Sequence, residues 1–211
     1  MKAYLLAAAL ISLTACGGSE SSPQTPTPPP TPTPTPSPEL AINVCYSVDT
    51  TMGEFTLGID NTNMPITAAN FSRYVDEKFY DGTLFHRIAN NFVNQGGGFT
   101  PGMNVKSTYD PIKNESSVGL KNDRGTIAMA RTQVLDSATS QFFINIHDND
   151  NLNYPSQGGY AVFGKVVEGM EVVDIMNAVN TQSVQKDGVT FTNVPIEEII
   201  VNSISDTNCP G

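Results

Sequence analysis

One short stretch of the chain combines an arginine, a histidine and a glutamine with apolar residues. It reads LFHRIANNFVNQGGGFT, residues 84–100, with Arg87 inside a strand-like run and Gln95 eight positions later. It contains no serine, cysteine or acidic residue, so it does not resemble a hydrolase nucleophile or a pair of catalytic carboxylates. Arginine stays charged and presents its donors in a planar fork. The arginine could therefore donate hydrogen bonds to a polar acceptor in apolar surroundings.

Other common chemistries lack their sequence signatures. The two histidines are His86 and His147, and neither has a second histidine or a cysteine at the spacing of a metal site. No serine lies in a Gly-x-Ser-x-Gly elbow, and His147 stands in the polar, loop-like run HDNDN. The glycines at 96–98 are not followed by the Lys-Ser/Thr pair of a phosphate loop. We expect neither a metal nor a cofactor.

Length and charge narrow the class of protein. A chain of 211 residues is long enough for one well-buried domain. We expect a monomer. The formal net charge is −10, from 11 Lys+Arg against 21 Asp+Glu. Nucleic acid is disfavoured as a partner, because binding to phosphates draws on clustered basic residues.

The N-terminal residues have the pattern of an export signal. MKAYLLAAALISLTA carries one positive charge at Lys2, then an apolar run, then small residues before Cys16. This pattern predicts a signal peptide at 1–15, too short to remain as a membrane-spanning helix. Residues 13–16, LTAC, resemble the bacterial lipobox, which implies that Cys16 becomes the lipidated first residue of the mature chain. The alternative is an incidental cysteine beside an ordinary cleavage site.

Residues 16–39 are predicted to be a tether rather than part of the fold. After Cys16 they read GGSESSPQTPTPPPTPTPTPSPE, which offers almost nothing apolar to bury and no backbone donor at each proline. At ~3.1 Å per residue such a segment could hold a domain roughly 70 Å from a membrane. We expect an exported, lipid-anchored protein of the periplasm or cell envelope. Gly17, in place of the aspartate associated with inner-membrane retention, favours the outer membrane.

The remaining residues, 40–211, are predicted to form one domain rich in short strands. Apolar alternation on both sides of 51–53 predicts a strand, a turn and a strand, and residues 63–82 have helical spacing with Pro65 in the first turn. Further strands are predicted at 84–88, 92–95, 126–130, 141–145, 160–167 and within 195–204, with a second helix at 169–180. This mainly β pattern predicts a closed barrel with helical lids.

Four separate blocks carry a resemblance to a known family. They are FHRIANNFVNQGGGF at 85–99, GTIAMAR at 125–131, SQFFINI at 140–146 and YAVFGKVVEGMEVVD at 160–174. Their order and spacing over residues 42–205 are similar to those of the cyclophilin-type peptidyl-prolyl cis-trans isomerases, in the compact bacterial exported form. The resemblance implies a closed eight-stranded antiparallel barrel capped by two α-helices. It implies that the partners are proline-containing polypeptides of the envelope, whose folding would be assisted.

The reaction that the resemblance implies needs no nucleophile, and an arginine can catalyse it by hydrogen bonding. Resonance places a barrier of ~18–20 kcal/mol between the isomers of an Xaa-Pro amide, and no covalent bond has to break. In the twisted transition state the nitrogen becomes pyramidal and accepts hydrogen bonds better. A fixed guanidinium would bind that state more strongly than either planar one. The alternative is a module that binds proline segments, or a holdase, with little catalysis.

The resemblance assigns roles residue by residue. It implies that Arg87 is the catalytic arginine, that Gln95 orients it, and that Phe92 forms the wall of the proline pocket. Substrate binding is implied for His86, Val93, Ala130, Arg131, Gln141, Phe143, Leu152 and Tyr160. His86 is expected to be a groove-side neighbour of Arg87 rather than a proton donor. Arg131 and Tyr160 replace a common asparagine and a histidine, and they are expected to shift the preference for the residue before proline.

Two cysteines remain within the domain, Cys45 near its start and Cys209 near its end. An even pair in an exported chain is compatible with a disulfide, and equally with two free thiols that never meet. In the family that the chain resembles, the first and last strands run side by side. The resemblance therefore favours a Cys45–Cys209 bridge.

Overall fold

A computed structural model describes residues 38–210 of the chain. The predicted signal peptide at 1–15, the lipidation site at Cys16 and nearly all of the tether at 16–39 lie outside these described residues. Within 38–210, neither α-helix is long and apolar enough to cross a membrane.

The domain begins with the predicted hairpin. Strand β1 spans Val44–Thr50 and strand β2 spans Gly53–Ile59, and they pair along their whole lengths. The hydroxyl of Thr50 donates to the carbonyl oxygen of Gly53 at 2.7 Å, which closes the turn. Gly53 has a φ of +126°, a backbone conformation that favours glycine. The period-two pattern of the sequence is therefore confirmed as a strand pair.

Helix α1 follows at Pro65–Asp76, with the proline in its first turn as predicted. Its first backbone N–H groups are satisfied from outside the helix, because the Glu115 carboxylate accepts hydrogen bonds from Ile66 and Thr67. The helix ends earlier than its apolar spacing indicates. Lys78, with a φ of +53°, turns the chain out of the helical conformation two residues after the helix stops.

The other elements alternate short strands with one further helix. They are β3 Arg87–Ala89, β4 Val93–Gly96, β5 Phe99–Thr100, β6 Asn104–Val105, β7 Thr126–Met129, β8 Phe142–Asn145, β9 Val162–Glu168, α2 Met170–Asn177, β10 Thr181–Lys186, β11 Val189–Pro195 and β12 Val201–Thr207. Single turns of 3₁₀-helix lie at Ser116–Val118, Asp150–Leu152 and Ser156–Gly158.

Eight of these strands form one curled antiparallel sheet in the order β12-β1-β2-β9-β7-β8-β4-β3. The sheet closes on itself through residues just before its two edge strands. Leu84 and Ile200 form a β-bridge, and the N–H of Phe85 donates to the carbonyl of Ile199 at 2.9 Å. The predicted mainly β fold with eight strands and two helices is confirmed. Closure rests on this short contact rather than on a ladder between β3 and β12.

Aromatic side chains fill the interior between the sheet and α1. Phe71 of α1 is fully buried, and its ring centroid lies 5.2–5.8 Å from those of Tyr46, Tyr80, Phe142 and Phe163. Edge-on and tilted ring pairs of this kind add to the free energy of apolar burial. The packed interior gives the strands that carry the groove a rigid support.

The hairpin β10–β11 was not predicted from the sequence. Its side chains are mostly exposed, but Val184 and Phe191 are partly buried between exposed neighbours, on either side of the turn at Asp187-Gly188. It is attached to the barrel through a small apolar cluster, in which Phe191 lies 5.4 Å from Phe99 between ring centroids. The last strand also begins at Val201, later than the apolar run suggested.

The two domain cysteines are joined in the structure. Cys45 on β1 and Cys209 just after β12 form a disulfide with their Cα atoms 5.1 Å apart. Strands β1 and β12 pair directly, with Cys45 opposite Thr207. The bridge therefore closes a separation of 164 residues across the end of that strand pair.

Candidate active site

A cavity of about 130 Å³ opens on the outer face of the sheet. Strands β3, β4 and β8, the turn before β4, the residues just after β7 and the segment between β8 and β9 supply its lining. Its lining residues are Arg87, Phe92, Val93, Gln95, Ala130, Arg131, Phe143, Leu152 and Tyr160. The structure thus brings together nine residues that come from four separate parts of the sequence, all of them predicted as site residues.

Arg87 is held at the edge of this cavity by the neighbouring strand. It lies directly opposite Gln95 in the β3–β4 ladder, and its Nη1 donates to Gln95 Oε1 at 3.4 Å. Its Cζ atom is 5.8 Å from the ring centroid of Phe92. Half-burial lowers the pKa of the Arg87 guanidinium from its usual value, although arginine remains charged. No carboxylate within residues 38–210 pairs with it.

Gln95 is in turn oriented by Gln141. Gln95 Nε2 donates to Gln141 Oε1 at 3.0 Å, so its own Oε1 is directed toward Arg87. Gly98 leaves the room that Gln141 needs, because a Cβ atom at that position would lie 2.6 Å from the Gln141 side chain. One glycine of the triplet therefore serves close packing. Gln141 does not line the cavity itself but positions a residue that does.

The apolar wall of the cavity is anchored by backbone hydrogen bonds to Phe92. The Phe92 N–H donates to Ala89 at 3.0 Å, and its carbonyl oxygen accepts from the N–H of Ile146 at 2.9 Å and from Asn149 Nδ2 at 3.2 Å. Phe143 also lines the cavity, with its ring 5.7 Å from that of Tyr160 in an edge-on arrangement. These contacts fix two aromatic surfaces facing a common space.

The turn before Phe92 is formed by two asparagines, Asn90 and Asn91. Asn91 adopts a φ of +56°, which asparagine tolerates better than most residues. Asn177 of α2 holds the turn in place. Its Oδ1 accepts from the Asn91 N–H at 2.9 Å, and its carbonyl accepts from Asn90 Nδ2 at 3.3 Å.

Arg131 lies at the other end of the cavity and is bound to backbone carbonyls. Its Nε and Nη2 donate to the Gly159 carbonyl at 3.1 and 2.9 Å, and Nη2 also donates to the Gln157 carbonyl at 2.7 Å. Its Nη1 donates to the Thr132 carbonyl at 2.9 Å. The guanidinium stacks 4.5 Å from the Tyr160 ring centroid. Its position is therefore fixed within the groove.

His86 is not placed in the groove. Arg87 lines the cavity, whereas His86, just before β3, is absent from its lining and packs against Phe99 of the small apolar cluster. Its buried ring lies 4.6 Å from that of Phe99, and Nδ1 has no hydrogen-bond partner among residues 38–210. Burial, and secondarily the positive charge of Arg87, lower the pKa of His86 to about 4. The ring is therefore neutral near pH 7.

Sequence reasoning missed the asparagines that support the cavity. Asn149 and Asn177 hold the backbone at Phe92 and at the preceding turn, and both are buried. Asn149 belongs to a buried amide network in which its Nδ2 donates to Asn145 Oδ1 at 2.8 Å. The available signal was the asparagine-rich run from 145 to 153, which reads as a polar loop unless burial is known.

Comparisons with known proteins agree on one family. The model of cyclophilin type peptidyl-prolyl cis-trans isomerases matches residues 45–202. A peptidyl-prolyl cis-trans isomerase of Acinetobacter baylyi is 49% identical over 164 residues, covering 74% of this chain and 87% of that protein. Isomerase B of Escherichia coli is 48% identical over 160 residues, covering 74% and 95% respectively.

Solved structures give the same result. A cyclophilin type isomerase of Cryptosporidium parvum is similar with a TM-score of 0.62 and 25% identity, over 79% of this chain and 99% of that one. A second structure of that protein, determined in the presence of the dipeptide Ala-Pro, has a TM-score of 0.61 at 25% identity, over 78% and 99%.

Proposed function

The chain belongs to the cyclophilin-type peptidyl-prolyl cis-trans isomerases, and from this we propose that it accelerates Xaa-Pro rotation in exported polypeptides, with Arg87 stabilising the twisted amide. The enzyme class itself follows from the family match and from relatives that are about half identical. The proposal adds the roles of individual residues and the compartment in which the enzyme acts.

The single observation that carries the mechanism is the setting of Arg87. Its guanidinium is half-buried beside an aromatic ring, is oriented by Gln95 and has no carboxylate partner within residues 38–210. A structural arginine at such a place would be expected to pair with an acid. Here its remaining donors are directed at a space where a substrate amide can lie, and its orientation is set before the substrate arrives.

Preorganisation explains how this arrangement lowers the barrier. The planar amide nitrogen is a poor hydrogen-bond acceptor because its lone pair is delocalised, whereas the twisted nitrogen is a good one. A donor fixed in advance therefore gains a hydrogen bond chiefly in the transition state, which raises kcat rather than substrate affinity. An acceleration of ~10⁵-fold needs only about 7 kcal/mol of such preference.

The apolar half of the cavity is proposed to hold the proline ring. Phe92, Val93, Phe143 and Leu152 supply its surface, and no Asp or Glu lies among the residues of the cavity lining. If the pocket holds the proline ring while the preceding residue rotates, the binding energy of the ring is used to orient the amide toward Arg87. The Ala-Pro dipeptide present with the similar Cryptosporidium protein supports a site for proline-containing peptides.

Turnover of a short Ala-Pro peptide tests this function. In exchange NMR, a catalytic amount of the full chain should bring interconversion of the cis and trans signals from tens of seconds or longer to well below one second. Peptide alone serves as the control. Broadened peptide signals without faster exchange would identify a binding module instead, and suppression of aggregation without exchange would identify a holdase.

Export and lipid anchoring are the second part of the proposal. The signal-like residues 1–15, the lipobox-like sequence ending at Cys16 and the Thr-Pro tether support it. The Cys45–Cys209 bridge is also consistent with an oxidising compartment outside the cytoplasm. The outer membrane is the proposed location where the source cell has one.

Replacing Cys16 with alanine tests the anchor. In the cell, the wild-type chain should sediment with membranes, and its mature N-terminus should carry acyl groups by mass spectrometry. Cys16→Ala should move the protein to the soluble fraction, because a spacer without lipid has no apolar segment to insert. The matched control is Ser19→Ala, three residues further along, which should stay with the membranes. An unmodified, soluble wild-type chain would contradict the proposal.

A further inference from the structure

A second cavity adjoins the proposed proline pocket and differs from it in polarity. It has a volume of about 430 Å³ and shares two lining residues with that pocket. It is lined by Arg131, Thr132, Gln133, Gln157 and Tyr160. A peptide bound in the proline pocket would therefore pass a polar space that has one cationic side chain and no carboxylate in its lining.

The arginines of the domain divide into two pairs. Arg73 and Arg124 lie outside both cavities and form ion pairs with Glu77 and Asp174, at 3.4 and 2.7 Å. Arg87 and Arg131 line the cavities, and neither has a carboxylate partner in the described part of the chain. In a protein of net charge −10, the groove thus concentrates unneutralised positive charge.

Arg131 is fixed but not neutralised. Four hydrogen bonds to the carbonyls of Thr132, Gln157 and Gly159 hold its guanidinium against Tyr160. Carbonyl dipoles leave the full charge in place, and one N–H of Nη1 has no acceptor among residues 38–210. A charge held in one orientation loses little side-chain entropy when an anion pairs with it.

The range of electrostatic interactions in salt and the alternation of side chains along a bound peptide indicate which substrate residue would pair with Arg131. At physiological salt the Debye length is about 8 Å, so the arginines beside the peptide outweigh acidic residues elsewhere on the surface. Side chains of an extended peptide alternate between its faces, so the residue two positions from proline shares the face of the proline ring. That residue is the one directed at the adjoining cavity.

We propose that the cavity around Arg131 selects substrates with an acidic side chain two positions from the proline. The inference rests on the proposed function, since it assumes that the neighbouring pocket takes the proline ring. It makes Arg131 a specificity-determining residue. Its effect is on the choice of polypeptide, because the amide that rotates lies at Arg87.

Matched peptides test the proposal with the full chain. In the first pair, the residue two positions before the proline of an Ala-Pro peptide is Glu in one peptide and Gln in the other. In the second pair, the Glu or Gln stands two positions after the proline. In one of the two pairs, kcat/KM for the Glu peptide should exceed that for the Gln peptide by about threefold at low salt, as expected of a partly exposed ion pair. The ratio should approach one at high ionic strength. A Lys peptide at the same position should be the poorest substrate.

Three variants test whether Arg131 causes the difference in kcat/KM between the Glu and Gln peptides. Arg131→Gln should bring the Glu/Gln ratio to one, Arg131→Lys should keep part of it, and Arg73→Gln, which removes the same charge outside the groove, should leave it unchanged. A wild-type ratio of one in both pairs, or a ratio that persists in Arg131→Gln, would overturn the inference. If no peptide is turned over, the proposed function fails instead. The same ratios measured as peptide dissociation constants by NMR then decide the present inference.

Discussion

Replacing Arg87 with alanine is expected to lower kcat/KM for an Ala-Pro peptide by about 10²–10³-fold, the usual cost of removing one preorganised donor to a transition state. Most of the loss should appear in kcat, because the guanidinium gains its hydrogen bond to the amide nitrogen as the bond twists. KM should change little, since the apolar wall formed by Phe92, Phe143 and Leu152 stays in place. Exchange NMR over a range of peptide concentrations separates the two parameters.

Controls distinguish a catalytic effect of Arg87 from a loss of fold. Arg87 has no ion pair to break within residues 38–210, so the thermal midpoint of Arg87→Ala should stay close to that of the wild type. Arg87→Lys keeps the charge but loses the planar fork, and it should recover only part of kcat. Arg73→Ala removes an exposed arginine of α1 and should be fully active. An Arg87→Ala enzyme with wild-type kcat would refute the mechanism.

The fold was predictable because its local signals and its motif blocks agree. Period-two alternation located β1 and β2, and Pro65 with apolar spacing located α1. Such signals give elements but not their order in a sheet. The resemblance of the four blocks implied an eight-stranded barrel with its first and last strands side by side. The rest of the order β12-β1-β2-β9-β7-β8-β4-β3 came from the structure, since pairing of strands far apart in sequence leaves no local trace.

Side-chain direction and long-range support were harder to predict. His86 stands next to Arg87 in the motif but precedes β3 and is buried against Phe99, a contact with a different part of the chain. Gln141 acts through Gln95 rather than by lining the cavity, and Asn177 supports a turn from 86 positions further along the chain. Such contacts depend on tertiary packing, and a single sequence does not reveal them.

The ends of elements depended on backbone conformation that composition does not show. The helical spacing of apolar residues continues to Phe79, yet α1 stops at Asp76 and Lys78 has a positive φ. The hairpin β10–β11 was not predicted, although Val184, Val189 and Phe191 are separated by polar residues around Asp187-Gly188, a pair typical of a two-residue turn. The end of α1 shows that apolar periodicity reports the face that is buried, not where hydrogen bonding ends, whereas the β10–β11 hairpin had a local signal in the sequence.

Removing the Cys45–Cys209 bridge is expected to lower the free energy of unfolding by about 2–4 kcal/mol, the typical range for a single disulfide. The bridge spans 164 residues, and a cross-link restricts the unfolded chain more when the loop is long. It also ties the exposed end of β12 to β1, and β12 contributes Val201 and Ile204 to the core. Urea unfolding of Cys45→Ala/Cys209→Ala beside the wild type measures the difference.

Reduction separates the cross-link from packing around Cys45. Cys45 is only 2% exposed, so its replacement by alanine also removes a buried sulfur atom. Wild-type protein in reductant keeps both sulfur atoms and loses only the covalent bond. Its unfolding free energy should therefore fall by most of the same amount, and reductant should not affect the double variant. Equal stability of oxidised and reduced wild type would mean that the bridge does not restrain the unfolded chain.

Activity toward Ala-Pro peptides at 25 °C should be unchanged, because neither cysteine lines the groove. A long-range covalent bond would then stabilise the barrel independently of the groove that contains Arg87.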